Sequence, residues 1–262
     1  MILHIHEWGS PHARPLVCLH GISVHGRRFR RLAEERLAAR FRVLAPDLRG
    51  HGRSGWEPPW TLRTHVEDLL ETTAAAGVER ATWLGHSYGG RIVLELAARE
   101  PARIERAVLL DPAIQILPHV GLDFAEKARE DPVFASPEEA VRARLADLFP
   151  PPPELAEEDV RDFLDPLPDG RYRYRRCASA VVSGYGELCS EPPPPSVLQV
   201  PTLLVHAPAF SLVREEQLEA YAATLGGLLE LVSVPGGHMV YWDAYEETAD
   251  AVERFLSSGA AE

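Results

Sequence analysis

The sequence predicts an α/β domain: a mostly parallel β-sheet with helices on both faces and a helical cap inserted into it. Three observations predict it. Short apolar runs of strand length alternate with segments whose apolar residues recur at helical spacing. Those runs are continuously apolar, as strands covered on both faces must be. The alternation stops between about Pro112 and Ser196 and then resumes.

The chain opens in an alternating strand pattern, Ile2-Leu3-His4-Ile5-His6. Pro15–His20 and Phe41–Ala45 read as buried strands, with a helical Phe29–Ala39 between them. Thr61–Ala76 reads as a helix, Arg80–Leu84 as a strand, Arg91–Arg99 as a helix and Ile104–Leu110 as a strand. Pro201–His206 and Leu228–Val234 complete the strands, and the βαβ units they form imply parallel pairing. Between Pro112 and Ser196, helical patterns follow one another with no convincing strand. Ser136-Pro137-Glu138-Glu139 is a helix start, with an N-cap serine, a first-position proline and a glutamate closing a capping box. The runs Pro150–Pro153 and Pro192–Pro195 cannot be helix interior. The expected organisation is a core of residues 1–111 and 197–262, with 112–196 as the cap.

The length of 262 residues is ample for a buried core. A net charge of −12 argues against nucleic acid and anionic membrane surfaces as partners. Cys18, Cys177 and Cys189 form no C-x-x-C pair, so neither a metal knuckle nor a disulfide framework is expected. Cys18 reads as a small buried hydrophobe; Cys177 and Cys189 either pair or stay reduced, and the reduced state is the preferred reading. With no leader pattern and no bilayer-length apolar run, a soluble cytoplasmic monomer or homodimer is expected.

Chemistry concentrates at Gly85-His86-Ser87-Tyr88-Gly89. Strand, G-x-S-x-G, helix is the context of a nucleophile elbow. Its turn needs residues almost free of side chains beside the serine, which Gly85 and Gly89 supply. Ser87 is then held at the top of the sheet, next to a helix N-terminus that favours developing negative charge. His20-Gly21 ends the first buried strand, Asp47-Leu48-Arg49-Gly50-His51-Gly52-Arg53-Ser54 follows the next, and Asp111-Pro112 and Gly236-Gly237-His238 come later. With these pieces in this order, the chain resembles the α/β-hydrolase fold superfamily, in its serine-nucleophile, cap-bearing, esterase- and lipase-like branch. The resemblance implies an oxyanion hole made by the backbone N–H groups of Ile22 and Tyr88.

A serine nucleophile needs a base, and His238 is assigned that role among eleven histidines. It follows the last strand in a loop that can reach over the sheet's C-terminal edge. His4, His6, His12 and His119 read as surface residues, and His20 and His86 as neighbours of the centre. Asp47 and Arg49 read as stabilisers of their own turn. The acid departs from the family pattern. Its usual turn, after the penultimate strand, reads Ala207-Pro208-Ala209-Phe210, and no Asp or Glu occurs from Ser196 through Arg214. Asp111 is the substitute, against the plainer reading of a strand-end aspartate before Pro112. Glu215 and Glu216 read as first-turn helix residues, and Asp243 with Glu246 as a capping box.

The expected function is cleavage of small or medium carboxylic esters through an acyl-serine, with no metal or organic cofactor. Phe210 is read as facing substrate. Trp56 and Trp60 either line the entrance or pack structurally. The same residues would serve a carbon–carbon bond hydrolase, a lactonase, or a cofactor-free haloperoxidase or perhydrolase. A ligand-binding homologue without catalysis is the alternative of a different class.

Overall fold

The computed structural model describes residues 1–258. Seven strands form the main sheet in the order β1-β3-β2-β4-β5-β9-β10. They are β1 (Ile5–Trp8), β2 (Arg14–Leu19), β3 (Phe41–Pro46), β4 (Ala81–His86), β5 (Ile104–Leu110), β9 (Thr202–His206) and β10 (Leu229–Ser233). Only the β1–β3 pair of this sheet is antiparallel.

Strand periodicity assigns the two faces. In β2, Val17 and Leu19 enter one core with Trp83, Ile92 and Leu109, while Leu16 and Cys18 enter the other with Phe29, Tyr241 and Phe255. Helices α2 (Leu62–Ala75), α3 (Tyr88–Arg99) and α8 (Glu215–Leu225) contribute to the first core, and α9 (Val240–Asp243) and α10 (Tyr245–Ser257) to the second.

Two core segments differ from expectation. The first strand starts later, because Leu3 N–H donates to Thr72 Oγ1 of α2 at 2.9 Å instead of joining the sheet. The helix expected at Phe29–Ala39 is a succession of turns. A 3₁₀ turn at Gly26–Phe29 leads into one α turn, α1 (Arg30–Leu32), and then a π turn at Ala33–Leu37.

Between β5 and β9 lie α4 (Pro118–Arg129), α5 (Pro137–Leu145), α6 (Pro153–Phe163) and α7 (Ala178–Leu188). Strands are present there too: β6 (Val133–Phe134), β7 (Leu164–Pro166) and β8 (Tyr172–Tyr174) form an antiparallel sheet in the order β6-β8-β7. Runs of two or three residues carry no readable period, so only their pairing reveals them. Ser136 caps α5 as expected, accepting Glu139 N–H at 3.3 Å, but the Glu139 carboxylate reaches back to Ala135 N–H rather than to Ser136. All three cysteines are unpaired, and Cys18 is fully buried. Among the described residues no helix is long and apolar enough to cross a membrane.

Candidate active site

β4 ends at His86 and α3 begins at Tyr88, leaving Ser87 alone in the turn with φ 54° and ψ −117°. Such a backbone costs a non-glycine residue on the order of 1–3 kcal/mol and survives only where its surroundings hold it. Here Ser87 N–H donates to the Leu110 carbonyl at 3.1 Å, and the Ser87 carbonyl accepts from Ala113 N–H at 3.0 Å. The elbow also needs its glycines. A Cβ on Gly85 would run into the Gly89 carbonyl oxygen, and one on Gly89 into that of Leu19.

His20 orients the facing loop. Its Nδ1–H donates to the Gly21 carbonyl at 2.7 Å, and its Nε2 accepts Leu48 N–H at 2.9 Å. The ring is fully buried, and desolvation holds it well below the ordinary histidine pKa, so it stays neutral in that tautomer. Across a trans peptide, C=O and N–H point in opposite directions, so fixing the Gly21 oxygen also fixes the Ile22 N–H. Among the described residues, neither Ile22 N–H nor Tyr88 N–H is taken by a backbone acceptor. Ile22 lines the cavity, whereas the Tyr88 side chain is buried elsewhere, edge-on to His65 at 5.5 Å.

His238 stands in the loop after β10. Gly236 turns there with φ 89°, and Gly237 N–H donates to Asp243 at 3.1 Å. Asp243 therefore braces the histidine loop; the expected capping box is absent, because α10 has Ala244 at its N-cap and no side-chain cap. His238 Nδ1 lies 2.6 Å from Asp111 Oδ2, and His86 Nε2–H donates to the His238 carbonyl at 3.0 Å. Asp111 is completely buried at the end of β5, and its Oδ1 accepts Ala207 N–H at 3.3 Å. The turn that usually carries the family's acid thus donates a hydrogen bond to a carboxylate on the neighbouring strand.

Phe210 stacks on the His238 ring at 5.1 Å and 21°. Phe149, from the insertion, meets His238 edge-on at 5.3 Å, and the His86 ring lies 4.6 Å away. This enclosure strips water from the imidazole and holds it well below its ordinary pKa, while burial pushes the Asp111 carboxyl up. The resting imidazole is neutral. With Nδ1–H directed at Asp111, its Nε2 lone pair is free. Among the described residues, the hydrogen bonds of His238 are those to Asp111 and His86, and none comes from Ser87 Oγ. In unliganded sites such bonds are commonly long and tighten around substrate.

Ser87, His238, Ile22 and Phe210 line one cavity of about 620 Å³, together with many residues from between β5 and β9. Trp56 and Trp60 do not line it. The Arg173 guanidinium lies over the Trp56 ring at 5.1 Å, and Trp60 Nε1–H donates to the Trp56 carbonyl at 3.1 Å. Packing accounts for both. Asp47 does brace its turn, accepting Arg53 N–H at 2.8 Å, but it also binds Gly26 N–H and His6 Nε2, drawing His6 off the surface. Arg49 does not serve its own turn through a carboxylate there; it reaches α2, where its Nε and Nη2 both donate to Asp68 at 2.7 Å. Sequence reasoning missed Phe149, Arg28 and Asp159, all of which line the cavity and lie in no motif.

A lipase from Mycobacterium tuberculosis, LipV, is 34% identical to this chain over 246 residues, covering 91% of each. The esterase YbfF of Escherichia coli is 26% identical over 248 residues and 93% of each. The solved structure of E-2-(acetamidomethylene)succinate hydrolase superposes with a TM-score of 0.88 over 97% of this chain and 95% of its own, at 23% identity, a likeness of fold alone. The family model described as alpha/beta hydrolase fold matches residues 14–245. With the sheet order, the elbow and this match in agreement, the chain belongs to the α/β-hydrolase fold family.

Proposed function

We propose that this hydrolase cleaves carboxylic esters through an acyl-serine intermediate. The observation that carries the reading is the 2.6 Å contact between Asp111 and a neutral His238 in the cavity that Ser87 shares. Ser87 Oγ attacks the ester carbonyl as His238 Nε2 takes its proton. Charge then develops on the carbonyl oxygen, facing the N–H groups of Ile22 and Tyr88 at the start of α3, and on an imidazolium facing Asp111. His238 returns the proton to the leaving alcohol. Water, deprotonated by the same nitrogen, releases the acid. Phe210 bounds the cavity beside the imidazole, on substrate as well as on His238. The names of LipV and YbfF, a lipase and an esterase, support an ester as substrate.

A fluorophosphonate should label the protein covalently, and Ser87→Ala should abolish both the label and turnover of short-chain esters. Labelling that survives Ser87→Ala would remove Ser87 as nucleophile. Intact labelling with no turnover across an ester panel would move the assignment to lactone or carbon–carbon bond cleavage.

A further inference from the structure

The lining of the cavity beside Ser87 holds more cations than carboxylates, although Arg175, Arg176 and Arg214 also have Asp165, Asp131 and Glu216 beside them. Six lining side chains are cations, Arg28, Lys127, Arg144, Arg175, Arg176 and Arg214, against the carboxylates of Glu130, Asp147 and Asp159. The whole chain carries 27 Lys and Arg against 39 Asp and Glu. Its one lysine faces this space. Of the three carboxylates only Asp159 is buried, and it is shared. It pairs with Arg28 Nη2, accepts from His25 Nε2 at 2.9 Å and stands 3.6 Å from Arg144 Nε.

Arg28 is the most enclosed of the cations, with a side chain 4% exposed and its guanidinium 4.5 Å over the Trp242 ring. Its Nε and Nη1 have no hydrogen-bond partner among the described residues. It lines the same cavity as His86, Ser87 and His238. Arg176, between β5 and β9, repeats the pattern: among the described residues its Nε has no hydrogen-bond partner, and the Asp131 carboxylate stands 3.9 Å away. Buried N–H donors on a charged group are costly to leave unmet, and a carboxylate is their natural complement.

Resting on the ester-hydrolase reading, the geometry points to a substrate that is both an ester and a carboxylate, with Arg28 receiving the carboxylate while Ser87 attacks the ester. The carboxylate could belong to either side of the ester, and paired substrates separate the two cases. Monoethyl glutarate against ethyl pentanoate places it on the acyl side; 4-butanoyloxybutanoate against pentyl butanoate places it on the alcohol side. Acid release by the wild-type protein should favour the anion in at least one pair by about tenfold or more in kcat/KM, the worth of one good charge-assisted hydrogen bond. Arg28→Gln combined with Asp159→Asn, which strands neither charge, should remove most of that preference. Turnover of the neutral esters with no anionic preference in either pair overturns the inference and leaves the ester-hydrolase reading standing. A preference that survives the double variant overturns the role of Arg28. The anion site is also read without catalysis. At matched ionic strength, glutarate but not glutaramide should raise the melting temperature of Ser87→Ala protein, and equal shifts would count against the site even if no ester were turned over.

Discussion

In the proposed mechanism, Asp111 and Phe210 together stand in for the residue that usually carries the acid. The carboxylate meets Nδ1 of His238 from the end of β5, and the phenyl ring covers a face of the imidazole. Each part has its own test. Asparagine at position 111 can donate to Nδ1, which favours the tautomer with Nε2 protonated and useless as a base. Asp111→Asn should therefore lower kcat on the order of 10⁴-fold with an unchanged circular dichroism spectrum; a loss under tenfold would rule Asp111 out. The pH profile tests Phe210. Only neutral His238 acts as base, and burial lowers its pKa, so the acid limb of kcat/KM should lie below the ordinary histidine value of about 6.5. Phe210→Ala admits water, eases protonation and should move that limb upward. An unmoved limb would mean that the ring does not control the imidazole.

At the scale of elements, the elbow helix α3 also anchors the insertion. Arg91, on its first turns and 1% exposed, donates to the Ile114 carbonyl at 2.7 Å where the insertion begins, and to the Glu191 carbonyl at 2.9 Å where it ends. The same guanidinium pairs with Glu95 one turn along. One buried cation thus ties both ends of the insertion to the helix that starts at Ser87. Arg91→Met keeps the volume but leaves these carbonyls unmet and Glu95 with only the longer contact to Arg99 at 3.5 Å, so it should cost about 3–5 kcal/mol in urea unfolding. It should also open the stretches around Ile114 and Glu191 to limited proteolysis. A loss below about 1 kcal/mol would show that packing alone seats the insertion.

At the scale of the whole molecule, the core strands were legible because burial on both faces forces long apolar runs; Ile104–Leu110 was read to the residue. The turns at Ala33–Leu37 and the strands β6, β7 and β8 were not, since segments this short take their form from neighbours rather than from period. The proposed site divides in the same way. Ser87 and His238 follow from local pattern, because a tight turn and a loop histidine leave marks in a few consecutive residues, whereas the N–H pair of Ile22 and Tyr88 is implied by the family resemblance. Asp111 was reachable by elimination, once Phe210 was seen at the usual position. Trp56 and Trp60 fall to the packing alternative, because nearness to a motif in sequence does not fix where a ring points. Phe149, Arg28 and Asp159 come to one cavity from three distant segments, and no local pattern marks them. By itself, then, the sequence determined the sheet, the elbow and the candidates for nucleophile and base, all of which depend on neighbouring residues. Only the tertiary structure decided what surrounds His238 and which charges face Ser87, because burial and charge balance are sums over residues far apart in the chain.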